Sequence, residues 1–137
     1  MDAETDTGER ALVLVVDDDD LMRKSTRRLL RSAGFRVEAF ASAEEFLKSG
    51  LAAETACLIL DLRMPGMNGL QLQQRLTGEG RLIPIIFITA QDNEEIRRQA
   101  MRAGAVDFLQ KPFSEEALLK AIRNALTIPP RDERKAP

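Results

Sequence analysis

At 137 residues, 44% of them hydrophobic and 31% charged, the chain reads as one globular domain with a sizeable core. A formal net charge of −2 carries no nucleic-acid footprint, and the absence of histidine excludes His-based metal sites, Ser-His and Cys-His catalysis and histidine phosphorylation on this chain. The single cysteine cannot build a disulfide framework, and neither a signal peptide nor a membrane-spanning run is present, so a cytoplasmic location is expected.

Residues 1–10 are polar and acidic and read as a disordered N-terminus. Ala11 to Val16 is an unbroken apolar run ending in Asp17-Asp18-Asp19-Asp20. Such a run predicts a strand buried on both faces of a parallel sheet. Asp19 or Asp20 can cap the following helix, predicted over Leu21 to Ala33 and stopped by Gly34, but the acidic run exceeds what a cap needs. Arg36 to Phe40 alternates as an edge strand does, and Ser42-Ala43-Glu44-Glu45 is a capping box opening a short helix that Gly50 ends. Cys57 to Leu60 is a second unbroken apolar run; it ends in Asp61 and a loop punctuated by Pro65, Gly66 and Gly69. A helix carrying Leu72 and Leu76 follows, then a third apolar strand over Ile83 to Ile88, closed by Thr89-Ala90. Asp92, with Glu95 three residues on, is predicted to open the next helix, which ends near Gly104. Val106 to Gln110 reads as a short strand before Lys111-Pro112, and Ser114 caps a last helix whose stripe is Ala117, Leu118, Ala121, Ile122, Ala125 and Leu126. Pro129-Pro130 stops the fold, leaving 128–137 as a linker or disordered tail.

Five strands alternating with five helices predict a doubly wound, flavodoxin-like α/β fold over residues 11–127. The common strand order 2-1-3-4-5 sets strands one and three side by side at the switch point, where ligands bind beyond the carboxyl ends. Asp17, Asp18, Asp61, Thr89 and Lys111 all fall at such ends. Strands about 5 Å apart bring Asp17, Asp18 and Asp61 together, and three close carboxylates repel unless a cation joins them. Oxygen ligands suit Mg²⁺ or Mn²⁺. Asp61 can then act as a nucleophile towards a phosphoryl group, with Lys111 and the Thr89 hydroxyl holding its oxygens.

Four motifs now stand in order at the strand ends: VVDDDD at Val15–Asp20, LDLRMPGMNG at Leu60–Gly69, ITA at Ile88–Ala90 and FLQKPF at Phe108–Phe113. With them the chain resembles a CheY-like response-regulator receiver domain over roughly residues 11–127, and DLRMPGMNG with AGAVDFLQKPF is similar to receivers of the FixJ/NarL type. The resemblance implies that Asp61 is the phosphoacceptor, that Asp18 binds the metal directly and Asp17 largely through water, and that the backbone carbonyl of Arg63 completes the metal ligands. It implies that Thr89 is the switch hydroxyl, Phe108 the switch aromatic and Lys111 the phosphate-binding lysine, with Lys111-Pro112 cis. The implied partner is a sensor histidine kinase. The implied output is a change in the face of helix four, strand five and helix five, controlling homodimerisation and transcription. The chain would be a switch rather than an enzyme, and DNA would be reached only through an output domain that this chain lacks.

Position 108 is Phe where many receivers have Tyr, and as an aromatic in a short strand it also reads as ordinary core. Arg23, Lys24, Arg27, Arg28 and Arg31 on helix one read either as a solvated face or as a kinase-docking surface. The alternative output is a stand-alone receiver acting through protein–protein contact or as a phosphate sink. An aspartyl phosphatase would need a second acid where Arg63 stands, a flavodoxin-like nucleotide or flavin module would need a glycine-rich loop after strand one, and a pseudo-receiver would not need the complete acidic set.

Overall fold

The computed structural model describes residues 10–91 and 93–127. The expected disordered N-terminus, apart from Arg10, and the expected linker at 128–137 therefore lie outside the described residues, as does Asp92. Within them the chain runs β1 (Leu12–Val16), α1 (Asp20–Ser32), β2 (Arg36–Phe40), α2 (Ala43–Ser49), a 3₁₀ turn (Ala52–Glu54), β3 (Cys57–Asp61), α3 (Gly69–Gly78), β4 (Ile85–Thr89), α4 (Glu94–Arg102), β5 (Asp107–Gln110) and α5 (Glu115–Leu126). The strands form one parallel sheet in the order β2-β1-β3-β4-β5.

Successive side chains of a strand point to opposite faces, so the unbroken apolar runs feed two cores at once. Leu14, Val16, Leu58, Leu60 and Phe87 pack on one face with Phe46 of α2 and Leu72 and Leu76 of α3. Val13, Val15, Ile59, Ile86 and Ile88 pack on the other with Leu30 of α1 and Leu118 and Ile122 of α5. Every residue of β1, β3 and β4 is buried. At roughly 1.5–3 kcal/mol per buried large apolar side chain, these three strands anchor the sheet, and residues at their tips inherit that rigidity.

The helix starts follow side-chain capping. Asp19 accepts from the Met22 N–H and Ser42 from the Glu45 N–H, both at 3.1 Å. Glu45 reaches back to the Ala41 N–H at 3.2 Å, one residue before the cap rather than to the cap itself. Asn68 and Gln71 form a full capping box on α3. At α4 the cap is Asn93, which accepts from Ile96 N–H at 3.1 Å, instead of the predicted Asp92. The extended backbone at position 93 lets the Asn93 carboxamide reach the third helical N–H.

Candidate functional site

The sheet register determines which side chains meet. Val16 pairs with Leu60, so Asp17 and Asp61 leave β1 and β3 at the same level. The Asp17 N–H continues the ladder to Phe40 O at 3.1 Å, and the Asp17 side chain is fully buried. Its Oδ1 accepts from the Asp19 N–H at 2.9 Å and its Oδ2 from Lys111 Nζ at 3.2 Å. Asp61 is 5% exposed; its Oδ1 accepts from the Arg63 N–H at 3.3 Å, and Lys111 Nζ lies 3.7 Å from its Oδ2. One oxygen from each of Asp17, Asp18 and Asp61 lies within 4.8 Å of the other two.

This crowding has an electrostatic consequence. The Asp61 carboxyl is pushed up from 3.8 to about 8, chiefly by burial, then by hydrogen bonding to Asp17 and by its charge, with Asp18 adding to the rise and Lys111 opposing it. A single lysine does not compensate three carboxylates. The all-oxygen donor set, partly exposed at Asp18, fits a hard divalent cation with retained water. Burial pushes the Cys57 thiol up to about 12, as expected for a core hydrophobe without thiolate chemistry.

The loop after Asp61 is pinned at both ends. A Cβ on Gly69 would come within 2.6 Å of the Asp61 carbonyl oxygen, so only glycine lets α3 start this close to the end of β3. Gly66 takes a positive φ of 75°, and the next N–H, of Met67, donates to Glu44 Oε2 at 3.0 Å. That bond holds the Glu44 carboxyl below the usual range. Sequence reasoning missed Glu44 because a contact spanning 23 residues leaves no local signal.

Thr89 and Phe108 are held differently. The buried Thr89 hydroxyl donates to Gln91 O at 3.1 Å and accepts from Gln91 N–H at 3.2 Å, closing a turn on its own loop. Among the described residues it makes no hydrogen bond to the acidic cluster. Phe108 is already buried at 4%, with its ring 6.2 Å from that of Phe87 and the Arg97 guanidinium 5.5 Å over its face. The Lys111–Pro112 peptide bond is cis, and the Lys111 N–H donates to Thr89 O at 2.7 Å. On α1, Lys24, Arg27, Arg28 and Arg31 are exposed, whereas the Arg23 side chain is only 19% exposed and is turned into the β1–α1 loop.

A parallel 2-1-3-4-5 sheet with carboxylates gathered where strands one and three part defines a doubly wound domain whose acidic cluster sits at the switch point where such folds bind ligands. The model of the response regulator receiver domain family matches residues 13–123, and the chain belongs to that family. The response regulator protein TmoT of Ectopseudomonas mendocina is 43% identical over 129 residues, covering 94% of this chain and 59% of TmoT. Nodulation protein W of Bradyrhizobium diazoefficiens is 47% identical over 118 residues, covering 86% and 52%. The crystal structure of FixJ-N matches at a TM-score of 0.79 and 37% identity, over 89% of this chain and 98% of that one. The chain thus spans between about half and six-tenths of the length of the curated relatives it matches. It is a phosphoacceptor receiver domain of the two-component response-regulator type. Among the described residues, no helix is long and apolar enough to cross a membrane.

Proposed function

We propose that Asp61 is the residue phosphorylated, by a sensor histidine kinase in the cytoplasm, and that the modification switches the face of α4, β5 and α5. The observation that carries this reading is the convergence of Asp17, Asp18 and Asp61 within 4.8 Å, with Lys111 Nζ 3.7 Å from Asp61. A carboxylate oxygen of Asp61 forms the new bond to phosphorus while the bond from phosphorus to the donor breaks, its electron pair leaving with the donor. Asp17, Asp18, Asp61 and the backbone carbonyl of Arg63 would hold Mg²⁺ or Mn²⁺, which when bound supplies compensation for the phosphoryl charge. Lys111 supplies a fixed positive charge beside the transferred group. Thr89 exchanges its Gln91 turn for the phosphoryl group, and because Phe108 is already inside, the readout is a regrouping around that ring rather than its first burial. The chain acts as a switch that handles only its own phosphoryl group, not as a turnover enzyme.

The α4, β5 and α5 face would control homodimerisation, and transcriptional control would follow through an output domain. The name of TmoT as a response regulator, and the greater length of both relatives, support this reading over a receiver that acts alone. The test is incubation with acetyl phosphate and Mg²⁺ followed by intact-mass measurement. Wild type gains one phosphoryl group and loses the gain when Mg²⁺ is chelated; Asp61→Asn gains none. Equal incorporation into both proteins would remove the assignment.

A further inference from the structure

Four consecutive aspartates follow β1, yet only Asp17 and Asp18 join Asp61. Asp19 caps α1. Asp20 is drawn to Arg23, whose Nη2 lies 2.5 Å from Asp20 Oδ1 while its Nη1 donates to the Asp17 backbone carbonyl at 2.9 Å. One guanidinium therefore ties the first turn of α1 to the residue that follows β1. We infer that Arg23 is a positioning residue for the acidic site, fixing the Asp17–Asp18 backbone so that both carboxylates face Asp61. The inference rests on the cation-dependent phosphoacceptor reading of that site.

The planar fork of arginine suits this task, since two donors in fixed relation can hold a carbonyl and a carboxylate at once. Arg23 touches neither the Asp61 carboxylate nor the space between the three acids. It is also not a free contact for a partner, because both arms are engaged and the side chain is 19% exposed. Arg27, one turn further on, is exposed and makes no ion pair among the described residues.

A positioning role and a purely electrostatic role differ in sign. A cation beside a cation site repels the ion, so deleting the Arg23 charge alone would tighten Mn²⁺ binding; losing the positioning contact weakens it, by about 10-fold or more for an outer-shell partner. The experiment follows free Mn²⁺ by electron paramagnetic resonance during titration of the full chain, for wild type, Arg23→Gln, Arg23→Lys and Arg27→Gln, with thermal melts as the folding control. The expected result is roughly tenfold weaker binding by Arg23→Gln, intermediate weakening by Arg23→Lys, which keeps the charge but lacks the fork, and little change for Arg27→Gln. Binding by Arg23→Gln as tight as wild type, or tighter, overturns the inference. Should Arg23→Gln not fold, Arg23→Lys carries the test, and wild-type affinity in that variant overturns it. A wild type that binds no Mn²⁺ sinks the phosphoacceptor reading itself, a separate outcome.

Discussion

The two halves of the site are built to different standards. On the β1–β3 side, Asp17, Asp61 and Lys111 are buried or nearly so and bonded to one another across elements far apart in sequence. On the β4–β5 side, the Thr89 hydroxyl is bonded only to the next turn, and Phe108 is held by a neighbouring ring and one exposed arginine. The first side is cross-braced by contacts between distant elements. The second is satisfied locally and must break those contacts before it can respond. A receiver needs that asymmetry: a rigid place to accept charge beside an element with two arrangements of similar energy.

Breaking the rigid side should have the largest effect. Lys111→Ala removes the only cation paired with the Asp17 and Asp61 carboxylates among the described residues. Phosphorylation by acetyl phosphate should slow by about 100-fold, measured as the initial rate of mass gain. A rate within threefold of wild type would show that Lys111 is a bystander.

The next largest effect concerns pH. Asp61 holds its proton up to about pH 8 in the folded, cation-free protein, against 3.8 as its ordinary value. The native state then binds more protons than the unfolded state between those values, so this group makes stability fall as pH rises through that window. Asp61→Asn removes the penalty. In chelator its Tm should exceed wild type by several degrees at pH 8 and by little at pH 4. Saturating Mg²⁺ should close the gap. A constant difference across pH would contradict the electrostatic picture.

The smallest effect lies on the looser side. Arg97→Ala deletes the cation over Phe108 and should cost about 0.5–1 kcal/mol in urea unfolding, while leaving the rate of Asp61 phosphorylation within twofold. A large fall in that rate would erase the division between the two halves.

How much of this was legible from the residues depends on the physics of each feature. The strands were legible because runs such as LVLVV and CLILD have no polar face to turn outward, and their order followed from a common topology. Given β1 beside β3, the meeting of Asp17, Asp18 and Asp61 followed from chain position alone. Rotamers and loop contacts were not legible. Nothing local says that Thr89 turns to Gln91, that Asn93 caps α4, or that Glu44 holds the Met67 N–H. Arg23 looked like one member of a basic helix face; its i,i+3 spacing to Asp20 was a signal, but its bond to the Asp17 carbonyl appears only once β1 and α1 are packed.

The claim underneath is that Asp17, Asp18 and Asp61 occupy a space too small for three uncompensated charges. A carbon-13 NMR titration of the Asp61 carboxyl, in chelator and then in Mg²⁺, measures this directly. The account predicts a midpoint near pH 8 without the cation and a fall to well below neutrality with it. A midpoint near pH 4 in chelator, unmoved by Mg²⁺, would contradict it.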